Sequence, residues 1–166
     1  MKVYKSGKIK FSDEKPLVVG VISNKTLFRN ASALSRNDCD ILEVRLDKIG
    51  TDVKDWQKQC CKLENSGFPV IVTVRSRKEG GDWVGEESQR ETLLKQALSI
   101  VSCVDIELSS ELCPTICKYA KQLGKKVIVS YHNFSKTPLS DFLDSIIKKM
   151  LSFPNAIPKI ATTIVN

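Results

Sequence analysis

Six apolar, β-branched runs of seven to nine residues recur along the chain, separated by longer stretches in which apolar positions return every three or four residues. The runs are "PLVVGVIS" (16–23), "DILEVRLD" (40–47), "PVIVTVRS" (69–76), "CVDIELS" (103–109), "KVIVSYHN" (126–133) and "IPKIATTIV" (157–165). Their length and branching predict buried strands. The intervening pattern predicts amphipathic helices. In "EESQRETLLKQALSIV" it gathers Leu93, Leu94, Ala97 and Leu98 on one side, and in "LSDFLDSIIKKML" it gathers Phe142, Leu143, Ile146, Ile147 and Met150. Gly67 and Gly124 mark helix stops, Asp52 and Ser140 are candidate helix starts, and Val3 to Phe11 reads as a short hairpin ahead of the first strand.

Strict alternation of strand and helix implies parallel strands with helices outside, either as an open doubly wound sheet or as a (β/α) barrel. Polar residues inside the strands decide between them. Side chains alternate faces along a strand, so Glu43 shares a side with Arg45, Thr73 with Arg75, Asp105 with Glu107, and Ser130 with His132, while Lys159 lies between Ile157 and Ala161. An open sheet covered on both faces offers no place for so much charge. A barrel does, because active sites are built at the C-terminal ends of its strands. The open sheet also lacks its nucleotide signatures, since no GxGxxG follows the first strand and no GxxxxGK[ST] occurs. The expected fold is therefore α/β of the TIM-type barrel class, with about six βα strands in one domain spanning residues 1–166.

Composition narrows the picture further. Hydrophobic residues make up 42% and charged ones 27%, as in ordinary globular proteins. No apolar run reaches the roughly 20 residues that span a bilayer, and no signal-peptide core follows the basic start, so a cytoplasmic protein without membrane association is expected. The net charge of +7 suits an anionic partner. Its lysines spread over polar helix faces and no nucleic-acid motif accompanies them, so nucleic acid is not the expected partner. The six cysteines form no CxxC pair and read as reduced packing thiols. Cys113 and Cys117 stand four apart on a helix, but two ligands without a second pair do not make a metal site.

Candidate chemistry centres on Lys159 and His132. A lysine within "IPKIATT" loses hydration among apolar neighbours, which favours the neutral, nucleophilic amine that condenses with a ketone. His132, the single histidine, stands at the end of the neighbouring strand, where it can remove the proton that an iminium acidifies and return it to a leaving hydroxyl. Glu79 or Glu43 can orient that histidine. Arg45 and Arg75 suit the hydroxyl or carboxylate groups of an acidic substrate, or equally ion pairs with Glu43, Asp47 or Glu107.

In order and spacing, "ILEVRLD", "VIVTVRSRKEGG", "VDIEL", "VIVSYHNFSKTP" and "IPKIA" resemble the motifs of type I 3-dehydroquinate dehydratase, a Schiff-base enzyme family of the shikimate pathway. The resemblance implies a (β/α)8 barrel that dehydrates 3-dehydroquinate to 3-dehydroshikimate without metal or cofactor. It implies Lys159 as the Schiff-base lysine, His132 as the general acid/base and Glu79 as the carboxylate that orients it. Glu43, Arg45 and Arg75 fall where the family contacts its substrate or organises the site. Asn133 stands where many members have Asp.

The sequence ends seven residues after Lys159, where the family continues with further strands, the arginine that grips the substrate carboxylate and a closing loop. The expectation is a barrel incomplete at its C-terminal side, whose open edges are covered in a homodimer or another homo-oligomer. Two other readings stay open: a non-catalytic binding or assembly subunit, and another Schiff-base lyase such as a class I aldolase.

Overall fold

A computed structural model describes residues 16–35 and 37–164. The predicted hairpin over Val3 to Phe11 lies outside the described residues. The six predicted strands all form: β1 (Val19–Ile22), β2 (Ile41–Arg45), β3 (Val70–Thr73), β4 (Cys103–Glu107), β5 (Lys126–Asn133) and β6 (Ala156–Thr162). They build one parallel sheet in the order β1-β2-β3-β4-β5-β6. Each strand lies beside its successor in sequence, so the sheet is wound in one direction only. This is the winding of a (β/α) barrel, present here as a curled arc of six strands.

The helices are α1 (Lys25–Asn30), α2 (Leu46–Ile49), α3 (Trp56–Asn65), α4 (Glu87–Ile100), α5 (Cys113–Gln122) and α6 (Ser140–Leu151). Local chemistry sets their ends. The Asn24 side chain accepts from the Leu27 N–H at 2.8 Å to open α1, and Glu86 with Gln89 forms a reciprocal capping box on α4. Gly67 and Gly124 follow α3 and α5 at φ of 96° and 66°, a left-handed conformation that a side chain would strain. Asp52 does not open α3. It pairs with Lys25 at 3.2 Å, and the helix starts four residues later after Asp55. Ser140 is the first residue of α6, with Leu139 at the cap.

The core lies between the outer face of the sheet and the helices. Leu42, Val44, Val70, Val72, Val104, Ile106, Val127 and Val129 from the strands meet Leu94, Ala97 and Leu98 of α4 and Ile116, Cys117 and Ala120 of α5, all essentially without solvent contact. Each large aliphatic side chain buried there contributes about 1.5–3 kcal/mol. The predicted apolar face of α4 is therefore the one that packs. On α6, Ile146 and Met150 are buried while Phe142 stays 46% exposed. The cysteines pack as expected: Cys60, Cys103, Cys113 and Cys117 are buried, and burial pushes the Cys60 and Cys103 thiols up to about 12. Among the described residues no helix is long and apolar enough to cross a membrane.

Among the described residues no helix packs on the inner face of the sheet. A small apolar cluster of Ile41, Ile71, Cys103 and Ile128, joined by Leu17 and Ile157, closes its N-terminal end. Toward the C-terminal ends of the strands the inner face becomes polar.

Candidate active site

Strand register brings the polar residues together. Arg45 pairs with Thr73, Thr73 with Asp105, Glu107 with Ser130, Ser130 with Lys159 and His132 with Ala161, so all of them project from the inner face. Lys159 thus sits one strand over from His132 and two residues below its level. With a rise of ~3.3 Å per residue and strands ~4.8 Å apart, their Cα atoms are about 8 Å from each other, close enough for both side chains to reach one small molecule.

His132 lies against Glu79. Past the end of β3 the chain turns through a short 3-10 segment, Arg77–Glu79, which folds back toward the sheet. One Glu79 oxygen accepts from the His132 backbone N–H at 3.1 Å and faces its Nδ1 at 2.9 Å. The other accepts from the Ser109 hydroxyl at 2.7 Å. Burial alone would raise the Glu79 pKa. The hydrogen bonds from His132 and Ser109, with the charges of His132 and Arg75, outweigh it and bring the pKa below the ordinary carboxylate value. An anionic Glu79 accepts the Nδ1 proton and leaves Nε2 as the free base. Glu43, the alternative partner, instead accepts from the Thr73 hydroxyl at 2.6 Å. Asn133 shapes the next turn by accepting from Ser135 N–H, Ser135 Oγ and Lys136 N–H at 2.8–3.1 Å.

Lys159 differs from expectation. Its surroundings are not dry and apolar: the side chain is 36% exposed, and Nζ lies 3.0 Å from Asp105 Oδ2. The physical reason is the register, which sets Lys159 beside Ser130 on the polar inner face, level with Glu107, and its side chain reaches Asp105 one inward-facing position lower on β4. Asp105 is fully buried. Burial pushes its carboxyl up, but Arg75, Lys159 and the Ser130 hydroxyl together bring it below the ordinary value.

Both arginines spend their guanidinium groups on carboxylates. Arg45 forks onto Asp47 at 2.9 and 2.7 Å, at the rim of the site. Arg75, only 3% exposed, reaches Asp105 at 2.8 Å, the Ser130 hydroxyl at 2.6 Å and Glu107 at 3.5 Å. Glu107 also accepts from the Ser76 N–H at 2.8 Å and pairs with Arg90 from α4. Arg75 is thus the buried hub that ties the ends of β3, β4 and β5 together, while Arg45 and Lys159 keep access to solvent.

Sequence reasoning placed Asp105, Glu107 and Ser130 on the correct face, offered Glu107 as an ion-pair partner of the arginines, and gave Asp105 and Ser130 no role. The same signal that singled out Lys159, a charge inside a β-branched run, was available for Asp105. Ser109 carried only a weak signal, its even spacing from Asp105 and Glu107. Two clefts lie off the inner face. One of about 490 Å3 lies between α1 and α3, and one of about 440 Å3 beside Trp83, Arg90 and Ser109. The inner face itself is an open arc. Among the described residues no group of three or more His, Cys, Asp or Glu side chains is arranged to hold a metal ion.

Comparison with known proteins adds to this geometry. Residues 17–166 match the family model described as type I 3-dehydroquinase. The 3-dehydroquinate dehydratase of Methanosarcina barkeri is 38% identical over 156 residues, which covers 90% of this chain and 64% of the relative; the chain thus spans just under two thirds of that protein's length. The crystal structure of the 3-dehydroquinate dehydratase from Aquifex aeolicus superimposes with a TM-score of 0.78 at 31% identity, covering 89% of this chain and 67% of the other. That of the type I enzyme from Clostridium difficile, solved with covalently modified comenic acid, does so with a TM-score of 0.85 at 26% identity, covering 98% and 69%.

Proposed function

The chain belongs to the type I 3-dehydroquinase family, and on that premise we propose that it dehydrates 3-dehydroquinate to 3-dehydroshikimate through a Schiff base on Lys159. One observation carries the proposal: Lys159 on β6 and His132 on β5, the latter bound to Glu79 from the turn after β3, project from the inner face of neighbouring strands. The names of the aligned relatives, and the covalent ligand in the Clostridium difficile enzyme, support the same chemistry.

The steps follow from the residues. The Lys159 amine attacks the ketone carbon, and loss of water leaves a carbon–nitrogen double bond with one proton on nitrogen. That cation acidifies the adjacent carbon. His132 Nε2 removes a proton there, and the electron pair moves through the double bond to nitrogen, giving a neutral enamine. The pair then returns and expels the hydroxyl two carbons from the imine, which takes the proton from His132 and departs as water. Hydrolysis of the conjugated imine frees the enone and regenerates Lys159. Glu79 holds His132 in one tautomer throughout. Arg45 at the rim and Glu43 within the arc contact the substrate, and Arg75 organises the site from beneath it.

The test is direct. Reduction with borohydride in the presence of 3-dehydroquinate, followed by peptide mass mapping, should add the reduced substrate to Lys159 alone, and Lys159→Met should abolish both the adduct and the rise in enone absorbance. An adduct elsewhere, or none, would overturn the reading. The two sheet edges, β1 and β6, have one neighbour each among the described residues, and Val19 and Val21 are 40% and 49% exposed. These features support a homodimer or other homo-oligomer that covers them.

A further inference from the structure

We propose that Asp105 is the fixed counter-ion of the Schiff-base nitrogen: its Oδ2 pairs with the Lys159 ammonium at rest and accepts a hydrogen bond from the iminium N–H formed from it. This inference rests on the Schiff-base reading above and adds to it a residue that the expected site did not contain.

The division of labour on the carboxylate carries the argument. Oδ1 takes Arg75 Nη2 at 2.8 Å and the Ser130 hydroxyl at 2.6 Å. Oδ2 faces Lys159 Nζ at 3.0 Å. Asp105 itself is buried, 1% exposed, so its position is set by the sheet and not by solvent. Condensation of an ammonium with a ketone balances without any added charge. The carbon–oxygen double bond breaks, a carbon–nitrogen double bond forms, two of the three ammonium protons leave with the oxygen as water, and one stays on nitrogen. The positive charge is the same before and after. Asp105 Oδ2 therefore faces a cation in both states, and the one remaining N–H has an acceptor already in place.

Arg75 completes the device. It holds the opposite side of the carboxylate, so Asp105 stays anionic and does not take the iminium proton. It also shares the negative charge, which keeps the iminium electron-poor enough to acidify the neighbouring carbon. The other charged groups on the inner face around this spot are Glu107 on the same strand, bound to Arg75 and Arg90, Arg45 at the rim, bound to Asp47, Glu43 on β2, bound to the Thr73 hydroxyl, and Glu79, bound to His132. None of these reaches Lys159 in place of Asp105.

A purely structural Asp105 and a counter-ion differ in their pH behaviour. Cyanoborohydride reduces iminium and spares neutral imine, so trapping on Lys159 with 3-dehydroquinate reads the protonated species. The wild-type chain should trap evenly from about pH 6 to pH 8. In Asp105→Asn, trapping should persist near pH 6, where solvent protonates the imine, and fall by about tenfold near pH 8, as expected for a drop of about two units in the pKa of the imine. Thermal melts establish that the variant is folded. Should it not fold, wild type labelled with 15N at lysine Nζ and mixed with 3-dehydroshikimate gives the second reading: the imine resonance should keep the protonated position at about pH 8, and a neutral-imine position there would overturn the assignment. A wild-type adduct together with an unchanged pH profile in Asp105→Asn overturns the counter-ion alone. Absence of any wild-type adduct overturns the Schiff-base reading and the counter-ion with it.

Discussion

Replacing Arg90 by Met tests how the charges beneath the site are kept in a dry interior. Arg90 is 1% exposed; its Nη2 pairs with Glu107 and its Nη1 with Glu87 at 3.1 Å. Met matches the length of its stem and fills the same space between α4 and β4. The loss falls on Glu107, which keeps the Ser76 N–H at 2.8 Å and Arg75 at 3.5 Å on one oxygen and has nothing on the other. Stranding one partner of a buried pair costs about 3–5 kcal/mol. Two features pull toward the lower end: the surviving contacts of Glu107, and the release of Arg90 Nε, which is buried without a hydrogen-bond partner. The expected loss is about 3 kcal/mol. With a urea dependence of about 1–3 kcal/mol per molar, the unfolding midpoint followed by Trp56 and Trp83 fluorescence should drop by roughly 1–3 M. Arg90→Met combined with Glu107→Gln removes both charges and keeps an acceptor for Ser76, so it should recover about half of the loss. A single-variant loss under about 1 kcal/mol, or a double variant worse than either single, would refute the reasoning.

Stability should also fall on the acid side. Asp47, Glu79 and Asp105 all have pKa values lowered in the folded protein; burial opposes this in each, and Arg45 for Asp47, His132 for Glu79 and Arg75 for Asp105 lead the groups that overcome it. Their contribution is complete above the unfolded pKa of about 4 and is lost as pH drops through the folded values, so urea midpoints should decline steadily below about pH 5, and a flat profile between about pH 6 and pH 3 would contradict this. Gly81→Ala should be costly for a different reason: a Cβ there would lie 2.0 Å from the Arg75 carbonyl oxygen, in the turn that delivers Glu79. We expect a loss of about 1–3 kcal/mol, seen as a melting temperature lower by roughly 3–10 °C, and an unchanged melt would show that the turn yields freely.

The strands were legible because each is a β-branched run, and their winding followed from the charge on one face. The exact ends were not. The run "PVIVTVRS" continues past Thr73, where β3 stops, because the Arg75 and Ser76 carbonyls leave the ladder to accept from Trp83 and Gly81. His132 and Glu79 could be paired in advance only as neighbours of strand ends, since the bond spans 53 residues and depends on the fold-back of the 3-10 turn. The surroundings of Lys159 were misjudged for a related reason. Ile157, Pro158 and Ile160 are its neighbours along the chain, but register turns Lys159 onto the polar inner face beside Ser130, where its side chain reaches the Asp105 carboxylate one inward-facing position lower on β4. The same limit hid Asp105, whose polarity was visible and whose partner was not.

The Lys159–Asp105 contact joins positions 54 residues apart, across the last two crossovers of the sheet. Local pairings form early in folding, and those that close long loops form late. Among the described residues β6 pairs with β5, and β5 with β4, so Lys159 reaches Asp105 only after both of these pairings have formed. A partly folded chain can therefore hold most of its helix-packed core and still lack the Lys159–Asp105 pair, which forms only once β6 has zipped onto β5.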